Sequence, residues 1–171
     1  MANKIIDEKY RDMFGINPKY ERIIDTKLND ADCYHAFKVL VNMALDHIMK
    51  LTDDNRRPDY KDMRLFGKYY GYNDEPGNFN RDVFEGYAPR PVSAKTLNER
   101  ANLYAPARLT KYVKDGLLHR GHYPSYTSLK KNTPYSYYLP YDFFTTNNPT
   151  IKFVPNDLER TNIQHAIKAQ F

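Results

Sequence analysis

The chain has 171 residues, 26 Lys and Arg against 21 Asp and Glu, a formal net charge of +5 and a mean hydropathy of −0.80. That length fits one domain with a modest core; no window approaches the roughly 18 apolar residues of a membrane span, and the single Cys33 excludes an internal disulfide. Aromatic residues make up 15% of the chain, with 16 Tyr, which argues against disorder throughout and toward half-wet surfaces and interfaces.

In chain order, the first expected element is a helix over about residues 3–14, with Ile5, Ile6, Tyr10, Met13 and Phe14 near helical spacing and Gly15 as its stop. The start "MANKIIDEKY" is too charged for the apolar region of a signal peptide. A second helix follows: Asn17 caps it, Pro18 takes its first position, Tyr20, Ile23, Ile24 and Leu28 repeat at threes and fours, and Asn29 stops it. Asp30 or Asp32 caps a third, in which Phe37, Val41, Ala44, Ile48 and Leu51 form the core face and a wide apolar stripe marks the helix as central. Cys33 on this helix reads as a small buried apolar group. The short link between the second and third helices predicts an antiparallel hairpin.

Residues 56–92 change character. They hold four glycines and four prolines among many rings and read as a long irregular aromatic loop, with "YNDEPGNFN" as a turn cluster that short strands can flank. Helical signals resume at Ser93, a cap, with Thr96 and Glu99 matching a capping box. Pro106 either kinks this helix or starts another along Leu109, Tyr112, Val113 and Leu117, and Gly121 and Pro124 end it. Beyond, the chain reads as extended, with "TIKFV" at 150–154 as the strand and a weak last helix over about 156–169. The expected fold is therefore mainly α: a helical core over residues 1–131 carrying the loop 56–92, and an extended C-terminal arm over 132–171.

Two features bear on function. Residues 90–131 hold nine cations and two carboxylates, a net of +7, so the positive charge is segmental. Arg100, Arg108, Lys111, Lys114, Arg120, Lys130 and Lys131 form the candidate basic surface. The arm "KKNTPYSYYLPYDFF", residues 130–144, then packs six rings into fifteen positions: Tyr135, Tyr137, Tyr138, Tyr141, Phe143 and Phe144. Alternation along an extended chain sends Tyr137 one way and Tyr138 the other, which suits an arm threaded between two neighbouring subunits. These six are the candidate partner-binding residues; the bland reading is an arm folded back to complete a thin core. Bases stacking on such rings would need phosphate-pairing cations beside them, and none lies between Lys131 and Lys152.

Catalytic chemistry has little support. His119 and His122 in "HRGH" have a spacing that can hold a metal, but no third ligand is evident, and two basic histidines at a helix C-terminus explain them. "PDYK" at 58–61 overlaps in one turn the Pro-Asp and acid-x-Lys pieces that metal-dependent nucleases keep apart. There is no phosphate loop, nucleophile elbow or EF-hand loop. The expectation is no enzyme, no catalytic residue, no metal and no cofactor.

The pattern over 18–51 and the arm "PYSYYLPYDFFTTNNPTIKF" resemble, in architecture and composition, the small connector or head-completion proteins of tailed bacteriophages. The resemblance implies a structural protein of the virion or host cytoplasm, and the charged start adds the expectation that no signal peptide exports it. The resemblance also implies other protein subunits as partners in a homo-oligomer or ring and DNA near the basic segment; the lack of a long apolar window adds the expectation of no membrane. The alternative is a nucleic-acid-binding accessory protein that uses residues 90–131.

Overall fold

The computed structural model describes residues 2–53, 65–72, 79–101, 106–121 and 135–154. Among them, four helices share the chain with seven strands in three small sheets, so the fold is mixed α and β and the mainly α expectation is overturned. Five of the seven strands are only two or three residues long, too short for alternation to announce them in sequence.

The first correction is at the N-terminus. Instead of a helix over 3–14, two 3-10 turns, Ala2–Lys4 and Glu8–Tyr10, lead into strand β1, Phe14–Ile16. Phe14 and Ile16 are buried on either side of Gly15, so this stretch has a period of two, and Gly15 is mid-strand. Helix α1, Pro18–Lys27, begins as expected: the Asn17 side chain accepts from the Lys19 amide at 3.1 Å and Pro18 stands in the first turn. Helix α2, Ala31–Asp53, is capped by Asp30, whose Oδ1 accepts from the amides of Asp32 at 2.7 Å and Cys33 at 3.3 Å. Phe37, Val41, Ala44, Ile48 and Leu51 are all fully buried, as their spacing predicted, while Cys33 is only half-buried. The backbone of α1 closes on the first 3-10 turn and that of α2 on a strand and a later helix. The core is thus built on helix–strand contacts rather than on the close backbone pairing of α1 with α2 that the expected hairpin required.

Within the supposed loop 56–92 lies an antiparallel pair, β2 (Phe66–Tyr72) and β3 (Phe79–Pro89), with register shifts beside Tyr70. Adjacent Tyr69 and Tyr70 and the glycines at 67 and 71 break strict alternation, which is why the region reads as loop. Segment 152–154 lies against β3 in parallel: the Tyr87 amide donates to the Lys152 carbonyl at 2.6 Å and the Val154 amide to the Tyr87 carbonyl at 3.0 Å. A Cβ on Gly86 would meet the Lys152 carbonyl oxygen at 2.9 Å, so only glycine admits this approach. The expected "TIKFV" strand is thereby reduced to one bridge, Tyr87 to Phe153.

Strand β4, Val92–Ser93, runs into α3, Ala94–Ala101, where Ser93 Oγ accepts from the Thr96 amide at 3.2 Å. Pro106 starts a separate helix, α4, Pro106–Lys114. It ends at Gly116, not at Gly121: Gly116 takes φ +84°, and the Leu117 amide folds back to the Tyr112 carbonyl at 2.9 Å. Strand β5, His119–Gly121, then pairs with β6, Ser136–Tyr138, whose other edge pairs with β4. Strand β7, Phe144–Thr146, pairs antiparallel with β1. The expected last helix, 156–169, lies outside the described residues.

The arm's rings close the chain's own core. Phe143 is fully buried, with ring centroids 5.3 Å from Tyr20, 5.9 Å from Phe37 and 4.9 Å from Phe144. Phe144 in turn sits 6.4 Å from Phe14 and 5.9 Å from Phe66. The turn before them is held from α1. The Asn17 side chain donates to the Asp142 carbonyl at 3.1 Å, and Tyr20 and Lys19 both donate to the Asp142 carboxylate, Lys19 at 3.2 Å. Burial raises the Asp142 pKa, but these hydrogen bonds and the lysine charge outweigh it and hold the carboxyl below the usual carboxylate range. Such a group stabilises the fold above about pH 4, the ordinary value for Asp, and loses that contribution as pH falls through its lowered value. The melting midpoint is expected to drop below about pH 4, and to drop less in Asp142→Asn, as thermal melts across an acid pH series will show.

Candidate functional site

Among the described residues, two surfaces combine charge with accessible rings or apolar side chains. The first is the β5 edge of the three-stranded sheet. Register places His119 opposite Tyr138 and Arg120 opposite Tyr137. On one side, His119 stacks on Tyr138 with centroids 5.4 Å apart. On the other, Arg120 reaches the diagonal neighbour Tyr135 and sets its guanidinium 4.5 Å from the ring centroid. Both His119 and Arg120 are exposed. Tyr135, at 40% exposure, is the exposed large apolar side chain among the described residues.

Of the six rings assigned from sequence to a partner, only Tyr135 is presented to solvent. Tyr137, Phe143 and Phe144 belong to the main core, and Tyr138 and Tyr141 pack with Ala88 and Val154 in a second small cluster. Alternation did send Tyr137 and Tyr138 to opposite sides. Each side meets a cluster of the same chain, however, so these five rings are taken up internally.

The basic residues are likewise dispersed. Lys114 and Arg120 are exposed, and Arg108 is half-buried near Tyr112. Lys111 is committed to Asp115 at 2.6 Å and to the Lys27 carbonyl at 3.1 Å. Arg100 lies on α3, and Lys130 and Lys131 fall outside the described residues, as do His122 and "PDYK". His119 stands on a strand, not at a helix C-terminus. No group of three or more His, Cys, Asp or Glu that could hold a metal comes together among the described residues, and none of their helices is long and apolar enough to cross a membrane.

The second surface is a groove of about 410 Å³ along the outer side of α2. Asn42, 7% exposed, ties the N-terminal segment down beside it: its Oδ1 accepts from the Asp7 amide at 2.8 Å, and its Nδ2 donates to the carbonyls of Ile5 and Lys38, each at 2.8 Å. Val39 and Met43 give the groove an apolar middle, with His35 and Lys38 toward one end and Asp7 and Asp46 toward the other. Tyr10 donates to Asp46 Oδ1, and Lys9 lies 3.7 Å from the same oxygen. Burial, then the Asp46 contact, pushes the Tyr10 hydroxyl pKa well up. Sequence reading missed this surface because its residues flank the apolar stripe of α2. The signal was the run His35, Lys38, Asn42 and Asp46, polar residues three or four apart beside the apolar stripe.

No family model, no curated protein and no solved structure matches this chain.

Proposed function

We propose that this chain is a non-catalytic assembly protein that docks onto another protein subunit through the β5 edge around Arg120 and Tyr135. The observation that carries the reading is the Arg120 guanidinium held over an exposed Tyr135 ring on a short strand. Tyr and Arg are the residues that most often anchor protein interfaces, and a stacked pair is ordered before docking and loses little entropy on it. The resemblance to phage connector and head-completion proteins supplies the setting, a subunit that joins others at a particle's vertex. Nucleic acid fits this surface less well. Arg120 occupies one face of the ring, Lys111 is bound within the chain, and a base-stacking platform needs cations along the strand it tracks.

A photo-crosslinking phenylalanine analogue at position 135 tests the assignment in the cells or particles where the chain is made. The expected result is one discrete protein adduct, lost in Arg120→Glu while the folding stability stays within about 0.5 kcal/mol of the parent, as for exposed substitutions generally. Adducts to nucleic acid, or a protein adduct indifferent to Arg120→Glu, would contradict it.

A further inference from the structure

We infer that α2 pairs with α2 of a second copy, antiparallel and across a two-fold axis near residue 41. The outer stripe of α2 is self-complementary when reversed. Asp32, Val39, Met43, Asp46 and Lys50 fall within about 40° of one line along a helix that turns 3.6 residues per turn. Asp32 and Lys50 are exposed, and Val39, Met43 and Asp46 are half-buried. Pairing Asp32 with Lys50 puts the midpoint at residue 41, and pairing Val39 with Met43 puts it at 41 again. Asp46 has its midpoint with exposed His35 between 40 and 41, so it falls nearly opposite His35 of the second copy. An antiparallel second copy thus sets every carboxylate of the stripe against a basic side chain and both apolar pairs against each other. A two-fold interface requires this of one surface, because residue i must suit residue j and j must suit i. A parallel copy would set like charges together.

The groove provides the seat. It flanks the middle of this stripe and shares Val39, Met43 and Asp46 with it. Tyr10 and Lys9 engage Asp46 at Oδ1 only, so Oδ2 is left to face a partner's cation. The seam from Asp32 to Lys50 spans about 27 Å at 1.5 Å per residue. Its pairs are near solvent, so the dimer is expected to weaken with salt. The surface is separate from the β5 edge, and Arg120→Glu leaves it unchanged, so either reading can fail without the other.

Sedimentation equilibrium on the full chain tests the inference by charge exchange. The parent is expected to dimerise at low ionic strength and to dissociate in about 1 M salt, where screening acts within about 3 Å. Lys50→Glu and Asp32→Lys, both at exposed positions outside the core, should each weaken self-association by more than about tenfold, because like charges then face each other. Mixing the two variants should restore a dimer containing one of each, and the double variant Asp32→Lys/Lys50→Glu should dimerise alone. Melting midpoints of the single variants confirm that they remain folded. A parent chain that stays monomeric overturns the inference and leaves the groove to a small molecule or a different protein. Single variants that dimerise as the parent does overturn it equally.

Discussion

Phe143→Ala is expected to lower stability by about 3–5 kcal/mol, the range for truncating a fully buried phenylalanine. The ring is fully buried and lies among Tyr20 of α1, Phe37 of α2 and its own neighbour Phe144, so it joins both helices to β7. Its removal leaves a cavity bounded by two helices and a strand that are pinned elsewhere. Asn17 is held at the Phe143 carbonyl at 2.9 Å, and β1 is held to β7 along its length. Such a site cannot collapse easily, which places the cost toward the upper part of the range. Denaturant melts with a matched Phe37→Ala and the double variant will measure the coupling, expected at about 0.5–3 kcal/mol for rings in contact. A loss below about 1 kcal/mol for Phe143→Ala would mean that the ring is not part of the core.

The same ring shows where sequence reasoning reached and where it stopped. The helical part was legible because it is written in local chemistry. Asn17 with Pro18, Asp30 and Ser93 mark helix starts by satisfying amides a few residues away, and α2 carries its core face at threes and fours over 23 residues. Of the strands, only β2 and β3, which flank "YNDEPGNFN", were signalled; β1 with β7 and β4 with β6 are pairings between distant segments, and strands of two or three residues carry no readable period. The two-sided placement of Tyr137 and Tyr138 was readable from alternation. Whether the two sides would meet two neighbours or two clusters of one chain was not, since both demand the same pattern. Of the candidate site, the Arg120–Tyr135 pair was visible only as two residues in different lists, one basic and one aromatic. Cross-strand register makes them neighbours. The α2 groove depends on Asn42 fastening residues 5–7 against the helix, a contact spanning more than thirty positions.

The described part of the C-terminal arm packs into the core of its own chain and is expected not to detach as a docking element. Residues 137–154 supply eight buried apolar side chains, Phe143 and Phe144 at their centre. Removing them exposes Phe14, Tyr20, Phe37 and Phe66 together and strips β1 and β4 of their partners. Several core truncations of about 3–5 kcal/mol each exceed the roughly 5–15 kcal/mol that holds a domain together. The most direct measurement is therefore the thermal unfolding, by near-ultraviolet circular dichroism, of a chain ending at Pro134 beside the full chain. The truncated chain is expected to lose its fixed aromatic signal and its cooperative transition. A truncated chain that melts cooperatively near the full chain's midpoint, having lost only its ability to associate, would contradict this expectation.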